Sequence, residues 1–310
     1  MIITDTNRST ISQLSLILVA VLWGAGFVAS KIAVEAMSPV YVLLLRFLGD
    51  GILLLLFFRK RILNVSRNVM LHGVEMGIAG FVSLLLQLVA LQYTTPGKQA
   101  FLATTYVVFV PVVLWIVKKI RPEAKTVPAV LLAVTGAALL SLQNGFSSFN
   151  TGDLMSIGCA VAASVQLIIA NKYVKSEDPV ALSFYQCFAE AVPALIISCF
   201  VYAFDRTGIK TPTVSFLTVG AIIYIIIFNT FIAFTLQNVA QRYTTPEFTS
   251  ISLSLESVFG SVFSLLFFRE SFTVRGILGC SFIFIAVIIT RINIPGICSV
   301  FRQNRIARNS

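Results

Sequence analysis

Apolar runs, each ended by a short polar or Pro/Gly-containing break, follow one another from about residue 12 to residue 291. A helix needs about 20 consecutive apolar residues to cross the hydrocarbon core of a bilayer. Inside that core only helices and closed barrels satisfy every backbone group. Porin-like strands would leave alternating ten-residue segments, and these are absent. The pattern predicts an all-α integral membrane protein with ten transmembrane helices, over about 12–33, 38–58, 69–91, 97–117, 126–142, 153–173, 180–203, 214–237, 246–268 and 274–291. The breaks carry turn chemistry: Ser38-Pro39, Pro96-Gly97, Asn144-Gly145, Asp178-Pro179, Thr211-Pro212 and Thr245-Pro246. The first run follows a polar, nearly uncharged tail and is long enough to be a retained span rather than a cleaved signal.

The runs repeat. LQLVALQYTTP (Leu86 to Pro96) returns 150 residues later as LQNVAQRYTTP (Leu236 to Pro246), identical at eight of eleven positions. At a shift of 140, SPVYVLLLRFLGDG (Ser38 to Gly51) lies over DPVALSFYQCFAEA (Asp178 to Ala191). Pro39 then matches Pro179, Arg46 matches Gln186 and Asp50 matches Glu190; one further residue of shift sets Lys31 against Lys172. About ten extra residues near Asp205 to Pro212 account for the change of offset. Five helices per unit is an odd number, so the second unit enters the membrane from the opposite face. Two inverted five-helix repeats (5+5) are therefore expected, over 12–142 and 152–291, followed by a basic cytoplasmic tail over 292–310. Pro96 and Pro246 disfavour helical geometry just before them, which makes them the equivalent hinges of the two halves.

Composition sharpens this reading. The chain is 57% hydrophobic and 12% charged, with a mean hydropathy of +0.91. A net charge of +10 invites a nucleic-acid partner, but the charge is distributed as a topology signal. With the N-terminus inside, sixteen Lys and Arg fall in cytoplasmic loops and tails against six outside, which sets both termini in the cytoplasm of a cell (inner) membrane. No nucleic-acid partner is expected. The lone His72 and five cysteines without a CxxC pair give a metal or cofactor site little to build on. Four of those cysteines fall in predicted spans, where Cys acts as a small apolar residue.

The run LVAVLWGAGFVASKIAVEAMSPVYVLLLRF resembles the first two helices of the drug/metabolite transporter superfamily in its EamA branch, through Trp23, Gly24, Lys31, Pro39 and Arg46. GDLMSIGCAVAASVQ resembles that family's sixth-helix opening, and LSLESVFGSVFSLLFFRESFTVRGILG its ninth-helix ending. Glu256 stands where the family has a Glu-Pro, with Ser257 in place of the Pro, and Glu270 matches the loop Glu before helix ten. The first half departs, with Ile120 at the position equivalent to Glu270. The resemblance implies a ten-helix carrier of small metabolites and leaves the metabolite open.

Polar residues inside the spans mark candidate cavity positions, because such residues are costly in lipid and face a cavity or a partner. Trp23, Phe27 and Lys31 form one stripe on helix one, though Lys31 is close enough to the helix end to snorkel instead. Ser83 and Gln87 on helix three answer Asn229 and Gln237 on helix eight, either facing the repeat axis or gluing helices together. Gln99 and Tyr106 on helix four are repeat mates of Thr249 and Glu256 on helix nine. A lone buried carboxylate such as Glu256 is costly to keep charged, so it stands either as a proton-coupling or amine-holding group or as half of an ion pair. Arg46 and Asp50 are spaced to pair with each other, which favours a structural role, whereas Glu190 has no cation on its own helix.

The sequence thus points to an alternating-access secondary transporter, with export favoured, for a small-molecule substrate such as an amino acid or amine-bearing metabolite. Protons are a candidate coupling ion. A lipid-linked carrier flippase of the same fold is the alternative, and an intramembrane enzyme a more distant one. The oligomeric state is left open.

Overall fold

A computed structural model of the chain describes residues 5–119, 126–142, 149–204 and 215–291. The tail 292–310, Ile120 and the turns at Asn144-Gly145 and Thr211-Pro212 lie outside the described residues. Every element among the described residues is helical. In chain order these are α1 (Asp5–Ala36), α2 (Pro39–Leu63), α3 (Arg67–Tyr93), α4 (Pro96–Thr104), α5 (Tyr106–Lys118), α6 (Thr126–Ser141) and α7 (Thr151–Tyr173). Then follow α8 (Pro179–Phe204), α9 (Phe216–Tyr224), a π-helical stretch (Ile225–Ile232), α10 (Ala233–Gln241), α11 (Pro246–Leu253), α12 (Glu256–Phe268) and α13 (Val274–Arg291).

Among the described residues, seven stretches are long and apolar enough to cross a membrane, counting Pro96–Val117 and Phe216–Gln241 as continuous. Shorter apolar helices cover Val127–Leu140, Glu256–Phe268 and Val274–Ala286. The outer surface is apolar too: Leu56, Phe57, Leu266 and Phe216 all face outward. In water such a surface would drive association; in lipid it is the solvated face.

The fourth and ninth predicted helices are each broken, and at equivalent positions. Thr105 N donates to Leu102 O at 3.2 Å, and Val108 and Phe109 N to Thr105 O. In the second half Leu255 N donates to Ser252 O at 3.4 Å, and Val258 and Phe259 N to Leu255 O. Both breaks are local tightenings to i→i+3 bonding. Tyr106 and Glu256 are the first residues beyond them. Upstream, Pro96 and Pro246 each open a helix after an extended threonine, Thr95 at φ −89°, ψ 155° and Thr245 at φ −91°, ψ 159°. A proline is well placed there, because the first helical N–H has no acceptor in the helix.

Packing is reciprocal between the halves. The equivalent helices α2 and α8, and α6 and α13, pack on each other directly, and contact of α4 with α12 is answered by contact of α11 with α5. Contact of α3 with α7 is answered by contact of α10 with α1, and contact of α1 with α12 by contact of α7 with α4 and α5. Close approach decides two glycines. A Cβ on Gly26 would sit 1.8 Å from Asn229 Nδ2, and one on Gly80 would sit 2.1 Å from Glu190 Oε1.

Candidate functional site

Where the two halves meet, a small cavity opens among α1, α2, α3, α5, α7, the π stretch, α10 and α12. One wall is aromatic: the Trp23 and Phe234 rings lie 5.1 Å apart, with Phe27 one turn along α1 from Trp23. Trp23 Nε1 donates to Asn229 O at 3.1 Å, and Asn229 Nδ2 donates back to Leu22 O at 3.3 Å. Across the cavity the Tyr106 hydroxyl lies beside the Glu256 carboxylate. Repeat mates therefore meet at the centre, as residues near a twofold axis must.

Of the positions singled out in the sequence, Trp23, Phe27, Ser83, Gln87, Tyr106, Asn229, Gln237 and Glu256 line this cavity. Lys31, Gln99 and Thr249 do not. Lys31 Nζ donates to Leu91 O at 2.7 Å and Thr94 O at 3.2 Å, capping the end of α3, and sits 3.5 Å from Glu35. Asn171 Nδ2 does the same for the second half, donating to Gln241 O at 3.3 Å and Thr244 O at 3.1 Å. Asn171, rather than Lys172, is thus the repeat mate of Lys31. Gln99 is fully buried against Ser156, and the Thr249 hydroxyl lies 2.8 Å from that of Thr244.

The expected Arg46–Asp50 ion pair does not form. Asp50 lies beside the Cys187 thiol, and that thiol donates to Phe47 O at 3.0 Å. Arg46 instead runs over the Phe234 ring, 5.4 Å from its centroid, and reaches the cavity. Glu190, expected to lack a cation, feels Arg46 from the neighbouring helix and accepts from Gln186 Nε2 at 3.1 Å. The spacing on one helix misled because α2 and α8 pack closely enough for charges to pair electrostatically across them. Cavity residues that went unnoticed include Phe234, Cys159 and Gln166. Gln166 is a polar residue within a predicted span, so the same cost argument could have found it; Phe234, one turn before Gln237, shares its face.

Polar clusters hold the two ends. At one, Lys98 Nζ lies 2.8 and 2.9 Å from the Asp153 carboxylate oxygens, and Asp153 shares a capping box with Asn150. Nearby, Glu270 accepts from Gly97 N at 2.9 Å and from the Thr95 and Ser264 hydroxyls. At the other, Arg61 pairs with Asp178 at 2.7 Å, and His72 stacks on Tyr173 while lying 2.6 Å from Glu177.

The sequence model of the EamA-like transporter family matches this chain twice, over residues 10–142 and 150–292. The chain belongs to that family. A protein of Archaeoglobus fulgidus described as an uncharacterized transporter is 33% identical over 283 residues, covering 91% of this chain and 86% of its own. A protein of known crystal structure superposes with a TM-score of 0.65 over 91% of this chain and 96% of its own, at 17% identity, a likeness of fold alone. Family and relative together point to a membrane transporter rather than an enzyme, built as two copies of one family unit.

Proposed function

We propose that this EamA-family member is a secondary transporter that crosses the inner membrane ten times as two inverted five-helix repeats, over 12–142 and 152–291. Both termini and the basic tail 292–310 face the cytoplasm. The two halves rock about Pro96 and Pro246, exposing the central cavity to one side at a time. Its substrate is a small metabolite with an amine, leaving the cell by export, and Glu256 exchanges a proton for the cationic group.

The observation that carries this reading is the cavity itself: it is built by both repeats, walled by aromatics, and holds Glu256 with no basic side chain in ion-pair distance among the described residues. Reciprocal packing supports the rocking motion. The topology draws support from the end clusters. Lys98–Asp153 and Glu270–Thr95 join links that ten crossings put outside, and Arg61–Asp178 and His72–Glu177 join links that they put inside. A flippase for a phosphate-bearing lipid would need a strongly basic pocket, and Arg46 is the one basic residue lining this cavity among the described residues.

The test is metabolite profiling of cells with and without the protein, then uptake of the enriched compounds into proteoliposomes. A saturable flux of an amine-bearing compound, absent from empty vesicles, is expected. No protein-dependent flux of any enriched compound would overturn the assignment.

A further inference from the structure

We propose that Arg46 is the oxyanion-binding residue of the central cavity and receives a single carboxylate of the transported solute. This rests on the transporter reading above and adds a second recognition point, on the wall away from Glu256.

The Arg46 side chain is buried, lines the cavity, and makes no ion pair within 4.0 Å. Its Nε is enclosed and has no hydrogen-bond partner. A guanidinium carries five N–H donors in a planar fork, and leaving such a group desolvated without acceptors is costly. The residues around it fix its position without occupying the fork. Phe234 and Phe47 lie under the guanidinium at 5.4 and 5.8 Å from its carbon. Asp50 and Glu190 supply compensating charge, which keeps a cation in a buried place. Glu190 is in turn held by Gln186, and its carboxylate lies against Gly80, where a Cβ would displace it. Asn238 Nδ2 steadies that Gln186, donating to its Oε1 at 3.4 Å and to Ser183 Oγ at 2.9 Å.

The repeat adds a second argument. The mate of Arg46 is Gln186, so the symmetric scaffold asks for no charge at this position. A charge present in one half alone, and aimed into the shared cavity, serves the occupant rather than the architecture. The surroundings also choose among oxyanions. Asp50 and Glu190 already offset the single guanidinium, so a phosphate dianion brings a second negative charge that no cation here matches, whereas a carboxylate monoanion brings one. Glu256 is not among the charges acting on Arg46, nor Arg46 among those acting on Glu256. The two are separate stations for separate groups of one solute.

The aromatic wall suggests the probes. The purified full chain in neutral detergent is titrated with 3-phenylpropanoate, 3-phenylpropylamine and phenyl phosphate, with calorimetry as the readout. The carboxylate should bind, and phenyl phosphate more weakly. Arg46→Lys keeps the charge balance with Asp50 and Glu190 but loses the fork, and should weaken 3-phenylpropanoate roughly 10-fold or more while leaving the amine unchanged. Equal weakening of both probes, unchanged carboxylate affinity in Arg46→Lys, tighter binding of phenyl phosphate, or no carboxylate binding by the wild type would overturn the proposal. Should Arg46→Lys not fold, the wild-type ranking of the three probes decides. Carboxylate binding through Arg46 without any flux in proteoliposomes would refute the transporter reading and leave this site standing.

Discussion

Removing the Glu270 carboxylate should open the outer end of the cavity. Glu270 ties the start of α4, in the first repeat, to the link between α12 and α13, in the second, by accepting from Gly97 N, Thr95 Oγ1 and Ser264 Oγ. The equivalent position in the first half is Ile120, whose side chain cannot accept a hydrogen bond. The two bonds that cross between the repeats, from Gly97 N and Thr95 Oγ1, contribute about 2 kcal/mol together once exchange with water is counted. At 1.4 kcal/mol per factor of ten, Glu270→Ala should raise the outward-open population roughly 30-fold. Cys159 lines the cavity and is buried, so a variant keeping it as its sole cysteine reports access directly. Labelling of intact cells with a membrane-impermeant maleimide should accelerate on the order of 10- to 30-fold. Gly97→Ala should do the same, because its Cβ would lie 2.5 Å from Glu270 Oε2. Unchanged labelling in both variants, or faster labelling from the inside alone, would refute the latch.

Two further outcomes follow. Lys98→Met strands the fully buried Asp153 carboxylate and should cost about 3–5 kcal/mol, read as a lowered Tm in detergent, with Lys98→Met/Asp153→Asn recovering most of the loss. Single cysteines at Phe149 and Ser215 should label from outside and those at Asn64 and Ser176 only after permeabilisation; the reverse pattern would invert the topology.

The helices were legible because a membrane demands long apolar runs, and the duplication because Gln87 and Gln237 sit in near-identical segments. The breaks at Thr105 and Leu255 were not legible. Neither has a proline or glycine beside it, and i→i+3 tightening needs no special residue. The π turn around Asn229 left no signature either; its Asn229 carbonyl meets Trp23 from α1, a contact between residues 206 apart in the chain. Spacing along one helix found the cavity stripe Trp23–Phe27 but carried it one turn too far, to Lys31, which bonds to the end of α3 instead. The same one-helix logic paired Arg46 with Asp50 and missed the pull of Glu190 from α8. What a sequence pattern cannot supply is which helix lies opposite.

The most direct test is proteoliposome transport by wild type and Glu256→Gln, measured across external pH with the metabolite identified by profiling. Glutamine keeps the shape beside Tyr106 and removes the exchangeable proton. The account predicts a folded, inserted variant whose transport has lost its pH response or whose substrate affinity is sharply reduced. Wild-type transport with an unchanged pH response in Glu256→Gln would contradict it.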